Sequence, residues 1–128
     1  MQILRYFYVF LFSLILSVSA CYVPTGPDIF GVHISCHFNP GYVDHLWILQ
    51  VWVDHHVQLE DIEEVEVSLY NAYSERSYFT LQPSGNYLWD SLVLQKNTNL
   101  GCGRWYTVDI VATDKYGYTD VFETYYQN

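Results

Sequence analysis

The stretch YTVDIVATDKYGYTDVFETYY, residues 106–126, decides the fold. In its first nine residues Tyr106, Val108, Ile110 and Ala112 fall on one side of an extended chain, opposed by Thr107, Asp109 and Thr113. A period of two with one apolar side describes a strand that buries a single face. Asp114 to Gly117 then supplies turn-forming residues, and Tyr118 to Tyr126 returns as a second strand, so the segment reads as a hairpin.

Working outward, Glu64 to Tyr70 repeats the pattern, with Val65, Val67 and Leu69 on one face and Glu64, Glu66 and Ser68 on the other. Further strands are expected at Ile29 to Cys36, Leu46 to Val53, Ser77 to Leu81 and Trp89 to Leu94, separated by clusters of Gly, Pro, Asn and Asp. Helical signal is confined to a turn near Leu59 to Glu63. The expectation is an all-β, antiparallel β-sandwich of about seven strands. Tyr106-Thr-Val108-Asp-Ile110-Val-Ala112-Thr-Asp114, followed by a glycine hairpin and one more strand, resembles the last two strands of immunoglobulin-like modules of the fibronectin, cadherin or PKD kind. That resemblance implies an immunoglobulin-like topology and carries no activity with it. The calcium-ligand linker of cadherins is absent from the sequence, so calcium binding is not carried over.

The N-terminal residues 1–20 read as a signal peptide: Arg5, an apolar run from Tyr6 to Leu16, then Ser17, Ser19 and Ala20. Such a run is too short for a hydrocarbon slab that takes roughly 20 residues. Residues 21–27 form a linker and 28–128 the sandwich domain. Val18, Ser19, Ala20 and Cys21 resemble a bacterial lipobox, which implies a lipid on the Cys21 sulfur and a membrane partner through it. Tyr22 in place of Asp implies, by the same resemblance, the outer rather than the inner membrane of the cell envelope. Secretion with a free Cys21 is the alternative. Cys36 and Cys102 remain, and in an exported chain of this size they are expected to pair as a disulfide.

Charge excludes further classes. The residues after the leader hold four basic side chains, Arg76, Lys96, Arg104 and Lys115, against 14 acidic ones. A polyphosphate backbone is bound by clustered Lys and Arg, so no nucleic acid partner is expected. No catalytic residue, cofactor or metal is assigned. His33 and His37 share a strand face, but positions four apart on a strand are separated by about 13 Å, too far for one ion. Asp44, His45, Asp54, His55 and His56 flank the next strand, and a metal site would need His45 or the His55-His56 turn to meet other ligands across the fold; surface loop histidines are the commoner case. The acidic run Glu60, Asp61, Glu63, Glu64 and Glu66 reads as a solvated strand edge.

A binding surface has better support. If Trp47, Leu49, Val51 and Val53 face the core, then Leu46, Ile48 and Trp52 point outward as an apolar stripe, expected to meet a protein or glycan partner, the alternative being a strand covered on both faces by a loop or the N-terminal segment. The functional expectation is a lipid-anchored extracytoplasmic module that binds or supports and does not catalyse. Its rivals are a small secreted enzyme or metal binder using His and Asp residues, and an inhibitor or immunity-type protein. The junction at Cys21 yields the first prediction: mass spectrometry of membrane-fraction protein recovers a diacylglyceryl adduct on Cys21. An unmodified Cys21 at the N-terminus of a freely secreted product would refute it.

Overall fold

A computed structural model describes residues 26–127; the leader and Cys21 lie outside them. Eight strands are formed, with burial alternating most regularly in the second and seventh: β1 (Pro27–Asn39), β2 (Asp44–His55), β3 (Ile62–Tyr70), β4 (Arg76–Thr80), β5 (Gln82–Pro83), β6 (Leu88–Leu94), β7 (Tyr106–Asp114) and β8 (Thr119–Tyr126). They form two four-stranded antiparallel sheets, ordered β1-β2-β6-β5 and β4-β3-β7-β8. In immunoglobulin lettering these orders read A-B-E-D and C′-C-F-G, the arrangement of that sandwich architecture.

The core lies between the sheets. Trp47, Leu49, Val51 and Val53 of β2 face Val65, Val67 and Leu69 of β3 and Val108, Ile110 and Ala112 of β7, and every one is closed to solvent. These are the residues whose alternation marks them as inward-facing in the sequence. Apolar burial on this scale is the main driving force of the fold, at roughly 25 cal/mol for each Å² removed from water.

Three local features depart from the expected pattern. Pro83 lies not in a turn but in the two-residue strand β5, which pairs Gln82 with Asp90 and Pro83 with Trp89 at the sheet edge. An edge position tolerates the missing N–H of proline. The β1–β2 register slips between Ile29 and Gly31, leaving Phe30 as the extra residue of a bulge. Finally, Gly26 is buried at φ 87°, and a Cβ there would stand 2.7 Å from the Tyr118 Cβ, so glycine is required where the chain enters the sandwich.

The sandwich has two poles. At the near pole β1 begins, and the loops after β2, β5 and β7 gather around it. At the far pole are the loops after β1, β3 and β6 and the end of β8. Cys36, near the end of β1, is bonded there to Cys102 in the loop before β7, with Cα atoms 5.5 Å apart. The expected pairing is thus present, and a disulfide indicates an oxidising, extracytoplasmic location. Beside it the Tyr106 hydroxyl accepts the Gly101 N–H at 2.8 Å, the tyrosine corner of immunoglobulin-like folds. The Tyr106 ring packs edge-on to Trp47, and Tyr126 closes the cluster 4.8 Å from the Trp47 centroid.

The cross-link spans 66 residues, which corresponds to about 4 kcal/mol in the chain-entropy account. Replacing both partners, Cys36→Ser with Cys102→Ser, is expected to lower the urea-unfolding free energy by about that amount. A loss below about 1 kcal/mol would show that the sheets hold β1 without the bond.

Candidate functional site

Leu46, Ile48 and Trp52 share the outer face of the first sheet, as their alternation with the core residues requires. The register sets Leu46 between His37 and Leu94, Ile48 between Ser35 and Leu92, and Trp52 between Gly31 and Leu88. Leu46 is only 8% exposed, and Ile48 and Trp52 are partly buried. Trp52 lies over the Gly31 backbone, where an added Cβ would meet its ring at 3.2 Å. The open member of the face is Leu92 on β6, 64% exposed, which the sequence reading does not single out. A polar row, His33, Gln50 and Asp90, crosses the sheet and divides the stripe.

A second cluster, at the near pole, brings His55 against Asp114 and Asp61 against Lys115, pairings that the sequence does not indicate. The His55 and Asp114 side chains are both almost completely buried, with Nε2 3.0 Å from Asp114 Oδ2. His55 Nδ1 accepts the N–H groups of Val57 and Gln58 at 3.1 and 3.3 Å. With Nδ1 accepting, Nε2 carries the hydrogen and donates to the carboxylate, so both ring nitrogens are committed. The other Asp114 oxygen accepts N–H bonds from Tyr116 and Tyr118, which shapes the β7–β8 hairpin.

Next to this pair, Asp61 is buried and its Oδ1 accepts from Lys115 Nζ at 2.7 Å and Gln58 Nε2 at 2.9 Å. The expectation of a solvated acidic edge therefore fails at Asp61. It sits in the 3-10 turn Leu59–Asp61, between β2 and β3, where Lys115 reaches it from across the fold. Glu64 and Glu66 do lie on the outer face of the second sheet, partly buried. There a hydrogen bond to Glu66, with burial and the charges of Glu66 and Glu63 behind it, raises the Glu64 carboxyl. The Tyr78 hydroxyl donates to Glu66.

Among the described residues, no group of three or more His, Cys, Asp or Glu side chains has the geometry of a metal site. His33 and His37 stand exposed on β1. His45 packs edge-on against Phe38 at 5.6 Å. The expected separation of the histidines is what the register produces. The chain was compared with protein-family models, curated proteins and solved structures and matches none of them.

The buried charges carry a pH dependence whose sign follows from their surroundings. Burial pushes the Asp114 carboxyl up, but bonds from His55 and from the Tyr118 and Tyr116 amides outweigh it and hold the group below its ordinary value. Lys115 and then Gln58 do the same for Asp61, against burial. The Asp61 bond in turn raises Lys115. A lowered carboxyl contributes stability that is complete above the ordinary aspartate value, about 3.9, and is lost as pH falls through the folded value. The raised lysine contributes below its own ordinary value, about 10.4, and is lost as pH rises through the folded value. Urea denaturation across pH is therefore expected to show a plateau with an acid limb below about pH 4. Asp114→Asn is expected to lower the plateau and flatten that limb. An unchanged limb in the variant would mean that other carboxyls govern acid unfolding.

Proposed function

We propose that this chain is a binding module displayed outside the cytoplasm, held at the membrane by a lipid on Cys21, and without catalytic activity of its own. The observation that carries the reading is the outer face of the first sheet. Cross-strand pairs Leu46–Leu94 and Ile48–Leu92 place four aliphatic side chains side by side, Leu92 is largely open, and His33, Gln50 and Asp90 border them. An apolar centre with polar groups at its margin is the composition of a protein-binding patch. A strand with one solvated face ordinarily sets apolar residues inward and polar ones outward, whereas β2 and β6 place aliphatics on the outer face as well. The partner class favoured by this composition is a protein of the same compartment.

Tether geometry supports the same reading. Cys21 precedes Gly26 by five residues, and five residues reach at most about 18 Å. A lipid on Cys21 would thus keep the near pole close to the bilayer and leave both sheet faces accessible. The alternative of a small secreted enzyme or metal binder using His and Asp has less support. His55 and Asp114 are the histidine and aspartate that meet, and their polar atoms are occupied by each other and by backbone N–H groups.

Substitution at the stripe tests the binding face. A photo-crosslinking residue at position 92 is expected to give discrete adducts in cells, and Ile48→Asp or Trp52→Ala is expected to abolish them. Leu92→Asp, at an exposed site, is expected to change folding stability by no more than about 0.5 kcal/mol. A loss of about 3 to 5 kcal/mol in Trp52→Ala, with adducts retained, would assign Trp52 to the packing of the domain and remove it from the site.

A further inference from the structure

We infer that the far pole is a second binding site, for carboxylated pyranoses such as the uronic or sialic acid units of anionic glycans. The inference rests on the reading of the chain as a binding module but not on the sheet face.

Charge distribution is the first observation. Of the four basic side chains among the described residues, Lys115 is the one with a carboxylate partner, Asp61, and it lies at the near pole. Arg76, Lys96 and Arg104 lie at the other end, at the start of β4, in the turn after β6 and in the loop before β7. None of the three forms an ion pair among the described residues. A chain of formal net charge −9 thus collects its unpaired cations at one pole.

One of these cations, Arg104, lines a cavity of about 470 Å³ together with Asn71, Ala72, Tyr73 and Trp105. That volume falls within the range of small-molecule sites. Trp105 is braced by Tyr125, the rings stacked with centroids 5.4 Å apart and planes at 19°, and it remains 46% exposed. Tyr73 is 85% exposed. An exposed ring of this size is ordinarily costly to fix in place, yet the Tyr73 loop is tightly bonded. Asn71 Oδ1 accepts the N–H groups of Tyr73 and Glu75, both at 2.9 Å, and the Asn71 carbonyl accepts the Ser74 N–H at 3.0 Å. Arg104 is held as well: its N–H donates to the Gly101 carbonyl at 3.2 Å, and its side chain folds over Gly101. A Cβ there would lie 3.1 Å from the Arg104 Nε.

The chemistry of this set selects its ligand. The electron-rich faces of Trp and Tyr attract the weakly positive C–H face of a pyranose. The planar guanidinium matches a carboxylate through two parallel hydrogen bonds. A neutral sugar would use the rings and leave the Arg104 charge without a counter-ion, whereas an acidic peptide without aromatic or proline side chains would pair with Arg104 and leave the rings unused. Both features together describe a sugar acid.

The test is a calorimetric titration of the folded protein with trigalacturonate and with 3′-sialyllactose, using lactose and polyglutamate as controls. Saturable binding of one acidic saccharide is expected, weaker at high salt, and the stronger arm names the source as uronate or sialate. Arg104→Gln and Trp105→Ala are each expected to weaken it about tenfold or more with unchanged thermal melting. Gly101→Ala is expected to weaken it through the displaced Arg104. Trp52→Ala is expected to leave saccharide affinity untouched, so failure of the sheet face and failure of this site are separate results. Absence of saturable binding by either acid, equal affinity for lactose, or equal affinity for polyglutamate overturns the inference.

Discussion

Cys36 belongs to the edge strand of one sheet and Cys102 to the loop that feeds a central strand of the other, and their bond is the covalent tie between the layers. β1 is paired on one side only, by β2, so without a second attachment its end would depend on that ladder and on the packing of Val32 and Ile34 against the core. The bond supplies that attachment and also fixes the loop. Around Cys102, Gln95 Oε1 accepts the Cys102 N–H at 3.3 Å, the Tyr126 hydroxyl donates to the Cys102 carbonyl at 3.2 Å, and Tyr106 takes the Gly101 N–H. Trp47, Tyr106 and Tyr126 fill the space beneath. Covalent, hydrogen-bonded and aromatic constraints thus converge on one loop, and Arg104 and Trp105 follow directly from it. Such convergence is what a rigid binding surface requires, because ordering side chains at the moment of binding subtracts from affinity.

Strands β2, β3 and β7 are legible in the sequence because each buries one face and exposes the other, which writes a period of two into the residues. Cys36 and Cys102 are legible because Cys21 falls at the junction of the expected leader, and reading it there leaves the other two one partner each. Less legible are the places where distant residues decide a neighbour's environment. Asp61 looks like one member of an acidic run until Lys115, 54 residues away in the chain, is brought against it. His55 and His56 look alike, yet one is buried against Asp114 and the other is exposed, because strand alternation ends between them. The motif Asp54-His55-His56 held a usable signal, since the last inward position of β2 is His55 by the same alternation that places Val51 and Val53 in the core. The apolar stripe of the first sheet was legible in direction but not in degree. Outward orientation follows from periodicity, whereas the cover that Gly31 and the flanking strands give Leu46 and Trp52 depends on register and a bulge.

The two poles are fastened by different physics. The near pole relies on buried carboxylates, a histidine and a lysine, whose contribution varies with pH. The far pole relies on a disulfide and an aromatic cluster, neither of which changes with salt or with pH in the ordinary range. Its sensitivity is to reductant, and a disulfide in an oxidising compartment is not exposed to one. Surroundings outside the cytoplasm vary in acidity and ionic strength far more than in redox state. A ligand site that must keep its geometry there is better built on the covalent end. The ionic end is where the chain enters the sandwich at Gly26, so loosening it by a turn of acid would relax the entry of the chain while leaving Tyr73, Arg104 and Trp105 in place.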